Sequence, residues 1–301
     1  MEKRRIESSM ILFLAAAIWG FSFVAQRIGM RYMGPFLFNS VRFMLGAIVL
    51  LPFILIKSSG DTKSENIKTD NKKTLVAGVL AGFLIFIAVS FQQFGVIYTT
   101  AGKAGFITGL YIIFVPIIGV IFKQKIKVNV WIGVALAITG LYLLSVKQGF
   151  SIGKGDLLVL IGTVFWALHV QLIGHFAPKV NNLKLAFGQF FVNSILSFTG
   201  AIVFEKITIV GLSKGIWAIL YAGVLSVGVA YTLQILGQKY VSPSVSAIIL
   251  SMESVFSVLG GWLILNEILS FKEISGCILM LVAMIIAQIN FGDIKKLRGV
   301  K

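Results

Sequence analysis

Ten runs of about twenty apolar residues, interrupted by no more than an occasional charge, leave this chain few ways to fold. They cover 10–29, 35–56, 74–97, 101–122 and 128–146, then 156–176, 183–204, 214–237, 242–265 and 271–289. A run of that length rises about 30 Å as an α-helix, the depth of a hydrocarbon layer. In lipid the helix also satisfies its own backbone polar groups. The expectation is an all-α integral membrane protein of ten transmembrane helices. The totals agree, at 57% hydrophobic and 13% charged residues, where a soluble domain carries about 25% charged. The surplus of Lys and Arg lies between the runs with no aromatic-interleaved basic groove, which argues against nucleic acid as a partner. A single cysteine, Cys277, excludes an intramolecular disulfide and the thiol-based metal patterns. No metal or cofactor is expected. The first run is longer than the apolar region of a secretory signal and reads as a retained helix.

The chain also repeats itself. Residues 92–126 and 234–268 align without a gap at an offset of 142, since Gln92 falls on Gln234 (234 − 92 = 142), Gly95 on Gly237, Tyr98 on Tyr240 and Phe114 on Phe256. The small positions Gly102, Gly105 and Gly109 fall on Ser244, Ala247 and Ser251, and Tyr111 falls on Glu253. We read two repeats, 1–147 and 148–301, of five spans each. An odd number of spans inverts the second repeat relative to the first, which suits alternating access around a shared midplane cavity. Counted by alternate sides, Lys and Arg outside the spans divide eighteen against eight. Both termini are therefore expected in the cytoplasm, in a multi-pass protein of the cytoplasmic membrane. The polar stretches 57–73 and 147–155 read as a cytoplasmic loop and as the join between repeats.

Ionisable groups inside such spans mark pathways, because an isolated charge in hydrocarbon is costly. Arg42 and Glu253 lie at depths from which they could meet, either as a fixed ion pair or as the two poles of a substrate site. Asn39, Arg42 and Gly46 share a helix face. On the ninth span Ser246, Ala247, Ser251, Glu253, Ser254, Ser257 and Gly261 form a small-residue half opposite a bulky one. An imidazole such as that of His169 can gain or lose a proton near neutral pH, which suits proton coupling, although hydrogen-bonded helix packing is the plainer role. Trp19 and Trp166 lie too deep for interface anchors and read as cavity walls, with Tyr111. Gln92 and Gln234 contact substrate or, like Gln26, Gln93, Gln171, Gln189 and Asn193, join helices. Pro116 frees the carbonyl of Ile112 and predicts a kink in the fourth span. No span carries paired carboxylates and neither HExxH nor GxSxG occurs, so an enzyme is not expected.

These residues, in this order, resemble the drug/metabolite transporter superfamily and its bacterial ten-helix EamA-type members. The likeness rests on AAAIWGFSFVAQR, SVRFMLGAIVLLP, GLYIIFVPIIGVIF with WIGVALAITGLYLL, and MESVFSVLGGWLILNEIL with SGCILMLVAMIIA. It implies two inverted five-helix halves around a cavity lined by spans one, three, four, six, eight and nine, and secondary transport of small organic solutes, commonly export of amino acids. The Glu of the family's Glu-Pro pair falls on Glu253, with Ser254 where Pro is usual. The acidic residue ending the ninth span is Glu267, opposite Lys125 in the first half. The expected partners are the bilayer and a small polar metabolite held by Trp19, Arg42, Gln92, Tyr111, Trp166, His169, Gln234 and Glu253, with no oligomeric state implied. The alternatives are a lipophilic-cation efflux pump, with Glu253 as counter-charge, and a non-transporting membrane scaffold.

Overall fold

The computed structural model describes residues 2–60, 71–99, 101–145, 152–265 and 270–289, and every regular element among them is a helix. Residues 61–70 of the polar loop, 147–151 of the join and Glu267 lie outside the described residues. The first five runs form α1 (Glu2–Gly29), α2 (Pro35–Gly60), α3 (Asn71–Tyr98), the broken pair α4 (Ala101–Gly109) and α5 (Tyr111–Ile121), and α6 (Val128–Ser145). The next two form α7 (Lys154–Phe176) and α8 (Asn182–Phe204). The short α9 (Ile209–Lys214) leads into α10 (Ile216–Leu220), a π-helical stretch (Tyr221–Tyr231) and α11 (Thr232–Gln238). The pair α12 (Pro243–Leu250) and α13 (Glu253–Leu265) and then α14 (Phe271–Gln288) complete the set. Among the described residues nine helices are long and apolar enough to cross a membrane, and Val128–Leu143 is a shorter apolar helix.

Small residues let these helices approach backbone to backbone, which in lipid replaces the hydrophobic drive. α3 packs along α7, α2 along α8 and α6 along α14. α1 packs on the π-helical stretch and α11, and also on α12 and α13, while α4 and α5 pack on α7. Exchanging each span with the one five later carries this set of contacts onto itself. Two glycines show the correspondence in detail. A Cβ on Gly95 would lie 2.7 Å from the carbonyl oxygen of Gly155, and one on Gly237 would lie 3.0 Å from that of Ser8. These are the positions paired by the 142-residue offset, each closing on the start of the helix it crosses.

At one end Glu205, just past α8, binds the start of α2. The Phe36 and Leu37 N–H groups donate to its two carboxylate oxygens at 2.7 and 2.9 Å, a charge-assisted cap on orphan helix donors. A Cβ on Gly34 would stand 2.2 Å from the Glu205 carboxyl carbon, so only glycine leaves it room. Large apolar side chains such as Phe53, Phe83, Trp217 and Phe271 remain on the outer surface, as suits a lipid-facing wall.

Candidate functional site

The two broken spans fail at the same place. Between α4 and α5 the bonds tighten to three-residue spacing, Leu110 N–H to Ile107 O at 3.1 Å and Ile113 N–H to Leu110 O at 2.9 Å. Between α12 and α13 the same happens with Met252 N–H to Ile249 O and Ser254 N–H to Ser251 O, both 3.1 Å. Leu110 and Met252 are again 142 apart, so Tyr111 and Glu253 each begin a half-helix. The break lies at Leu110, two residues before the Ile112 carbonyl that Pro116 frees, and Pro116 itself sits inside α5. The ninth span breaks at the matching place with Val258 opposite Pro116, so the proline is not required for it. The second break forms with Ser254 in place of the usual proline. The Ser254 hydroxyl instead donates to Gly105 O at 3.1 Å and the Ser251 hydroxyl to Ile248 O at 2.8 Å.

Both half-helices open onto one interior chamber. Its wall carries Trp19, Phe23 and Gln26 of α1, Arg42 of α2, Gln92 of α3, Thr108 and Tyr111 of the fourth span, and Trp166 and Val170 of α7. Ser226 and Tyr231 of the π-helical stretch, Gln234 of α11, and Leu250 and Glu253 of the ninth span close it. About 40 Å³ is open to the centres of water-sized molecules, room for about three waters.

A relay of hydrogen bonds runs around this wall. Trp166 Nε1 donates to Gln92 Oε1 (2.8 Å), Gln92 Nε2 to Gln26 Oε1 (3.0 Å), Gln26 Nε2 to Ser22 Oγ (3.3 Å) and Ser22 Oγ to Ser226 Oγ (3.1 Å). Trp19 Nε1 donates to Ser226 O (3.1 Å) from the widened π turns, where the backbone is less tightly engaged. Tyr231 stands between the two tryptophans, its ring centroid 4.7 Å from Trp19 and 5.8 Å from Trp166.

Arg42 is 2% exposed and Glu253 4%, and the two do not form an ion pair. Arg42 Nε donates to Asn39 Oδ1 (3.1 Å), and its guanidinium carbon lies 5.3 and 5.1 Å from the ring centroids of Phe38 and Phe43. Aromatic faces and an amide thus stand where a counter-ion would be. Thr108 Oγ1 and Gln234 Oε1 close no hydrogen bond, and Tyr111 Oη stands beside the Glu253 carboxyl group, each the other's nearest candidate partner. A buried polar atom left unmet costs about 1–3 kcal/mol, so Thr108 Oγ1 and Gln234 Oε1 on one small chamber call for water or a polar guest.

The sequence model of the EamA-like transporter family matches residues 8–146 and again 153–288. The chain belongs to this family. Each match takes in five of the ten apolar runs. An uncharacterized transporter of Archaeoglobus fulgidus is 35% identical over 292 residues, covering 95% of this chain and 87% of the relative. The uncharacterized transporter YoaV of Bacillus subtilis is 21% identical over 269 residues, covering 87% and 90%. A solved crystal structure superposes with a TM-score of 0.75 at 19% identity over 94% of this chain and 96% of that one, which speaks to the fold. The protein is thus a multi-pass EamA-like membrane transporter.

Seven of the predicted site residues, Trp19, Arg42, Gln92, Tyr111, Trp166, Gln234 and Glu253, line this transporter's chamber. His169 does not. It is fully buried behind Trp166, ring centroids 5.9 Å apart, with Nε2 3.0 Å from Gln189 Oε1, because the Trp166 indole and Val170 fill the wall on that face of α7. Gln92 and Gln26 combine both roles weighed for them, wall and helix joint. Phe23, Thr108, Ser226, Tyr231 and Leu250 were not anticipated. Tyr231 had a signal, since it sits three residues before Gln234 on one helical face.

Proposed function

We propose that this EamA-like transporter carries a small zwitterionic metabolite such as an amino acid, with export the working direction, by alternating access between two inverted five-helix halves, 1–147 and 148–301. The observation that carries the reading is the placement of Arg42 and Glu253 on one chamber wall without an ion pair between them, with Tyr111 beside Glu253 and with Thr108 and Gln234 still seeking partners. A carboxylate beside Arg42 and an ammonium beside Glu253 would satisfy both ends of such a solute. The small free volume supports a solute of few heavy atoms over a bulky drug. His169 is walled off from the chamber, so any proton coupling is assigned to Glu253. The distribution of Lys and Arg supports an orientation with both termini inside, in the cytoplasmic membrane.

The aromatic walls favour a second reading, a lipophilic cation countered by Glu253, against which Arg42 stands as a like charge. Uptake of labelled amino acids into proteoliposomes, by counterflow, separates the two. Under the first reading wild type exchanges a zwitterion, and Glu253→Gln and Arg42→Gln each lose about thirty-fold or more, since truncating one side of a buried charge contact costs about 2–5 kcal/mol. Movement of a lipophilic cation alone, abolished by Glu253→Gln and indifferent to Arg42→Gln, would overturn it.

A further inference from the structure

A second and wider hollow opens at the end of the bundle where α1 begins and α14 ends. It has a volume of about 480 Å³, within the range of sites for drug-sized ligands. Arg5, Lys125 and Lys127 line it, and among the described residues no carboxylate does. Tyr240 on its rim carries two further cations, with the Arg4 guanidinium carbon 5.7 Å and Lys239 Nζ 5.6 Å from the ring centroid.

The floor is the start of α12. Ser242 caps it in extended conformation without a side-chain capping bond, and Pro243 takes the first turn. The next backbone donor to find a partner is Ser246 N–H, on Ser242 O at 2.9 Å. The amides of Ser244 and Val245 are thus the orphan donors of a helix start. Ser244 also lines the hollow, is 2% exposed and has a hydroxyl with no hydrogen-bond partner. The groups that would repel an anion here are the carbonyls ending α14, and these are covered. Asn129 Nδ2 donates to Ala287 O and Ile289 O, both at 2.9 Å, and an Arg5 guanidinium nitrogen to Gln288 O at 3.1 Å.

We propose that this hollow binds a phosphate-type anion, either a lipid headgroup or a free phosphate compound, with the Ser244 hydroxyl and the α12 amides below it and Arg5, Lys125 and Lys127 around it. Backbone donors at a helix start, one hydroxyl and several cations are the usual complement to phosphate oxygens, and the volume leaves space for the group that the phosphate is attached to. None of these residues lines the central chamber, so the proposal is independent of what the transporter carries.

The test uses the full chain in nanodiscs, reading the thermal unfolding midpoint against inorganic phosphate, with chloride at equal ionic strength as control. In phosphatidylcholine discs phosphate should raise the midpoint saturably, because a ligand of the folded state stabilises it. Ser244→Ala, which keeps the shape, and the exposed-site double variant Lys125→Gln with Lys127→Gln should each weaken the apparent affinity ten-fold or more. Phosphatidylglycerol discs then distinguish the sources. A midpoint already raised and no longer responsive to phosphate assigns the site to a headgroup, and a persisting phosphate response assigns it to a free anion. Either result supports the site. No saturable shift in either lipid, or one that survives both variants unchanged, overturns it.

Discussion

Arg42 and Glu253 were legible in the sequence because an ionisable side chain inside an apolar run has few reasons to be there. Thr108 and Ser226 were not, because a hydroxyl on a buried helix has the same surroundings in sequence whether it joins helices or faces a chamber. His169 was the misleading residue. It lies three positions after Trp166 and so on the same broad face of α7, and only the packed indole decides that one reaches the interior and the other stays behind it. Its bond to Gln189 makes it a structural joint. Replacing it by leucine leaves the Gln189 amide buried without a partner, so His169→Leu is expected to cost about 1–3 kcal/mol of stability. The substrate KM of the variant should stay near the wild-type value. Thermal unfolding and proteoliposome flux on the same preparation check both halves of that statement, and a lost flux at intact stability would return His169 to the site.

At the scale of the helix the ten apolar runs could be read almost directly, since length and hydrophobicity are what a bilayer demands. The breaks inside them could be read only in part. Pro116 announced a weak turn in the fourth span, but nothing in the ninth announces its counterpart except the repeat register that sets Glu253 against Tyr111. The π-helical stretch left no sequence signal, because its wide turns accompany contacts with another helix, Val227 on Gly46 and Leu45 on Gly223, where added Cβ atoms would come within 2.4 and 2.7 Å. The position of α13 depends on a similar contact. A Cβ on Gly20 of α1 would lie 2.5 Å from Phe256 Cβ and 2.7 Å from the carbonyl oxygen of Glu253 itself, and neither atom belongs to a flexible tip. Gly20→Val should therefore displace the Glu253 turn, costing about 1–3 kcal/mol and most of the flux. Gly105→Ala, whose new methyl would meet nothing closer than 3.6 Å, should be tolerated. Unfolding midpoints and transport rates of the two variants test the contrast.

Over the whole molecule the two ends of the bundle differ. At one end Asp156, at the start of α7, draws together Gly153 N–H (2.9 Å), the Thr99 hydroxyl and the Lys103 ammonium (2.9 Å), fastening the entry of α4 to α7, while Glu205 ties α8 to α2. The other end holds the basic hollow. A carrier must release such a fastening to open on that side. With a pair 28% and 4% exposed contributing about 1 kcal/mol, Asp156→Asn should raise the labelling rate of a chamber cysteine from the Lys103 side about five-fold. The measurement uses Thr108→Cys in a Cys277→Ser background with an impermeant maleimide. Unchanged labelling would show that the Asp156 contacts do not hold that side shut. The exchange of contacts between spans five apart was foreseeable from the repeat and from its odd span count. The unequal division of Lys and Arg already set one end apart as basic, but the fastenings at the other were not foreseeable, because Asp156 and Glu205 look in sequence like ordinary charges at helix termini.

The paired breaks at Leu110 and Met252 make the two copies alike in backbone and unlike in chemistry. One half-helix begins with a phenol and the other with a carboxylic acid. The chamber therefore presents a phenol at one break and a carboxyl group at the other, so the two ends of any bound solute meet different chemistry. The matched breaks frame the chamber evenly, and the unlike side chains at that one matched position give it a front and a back.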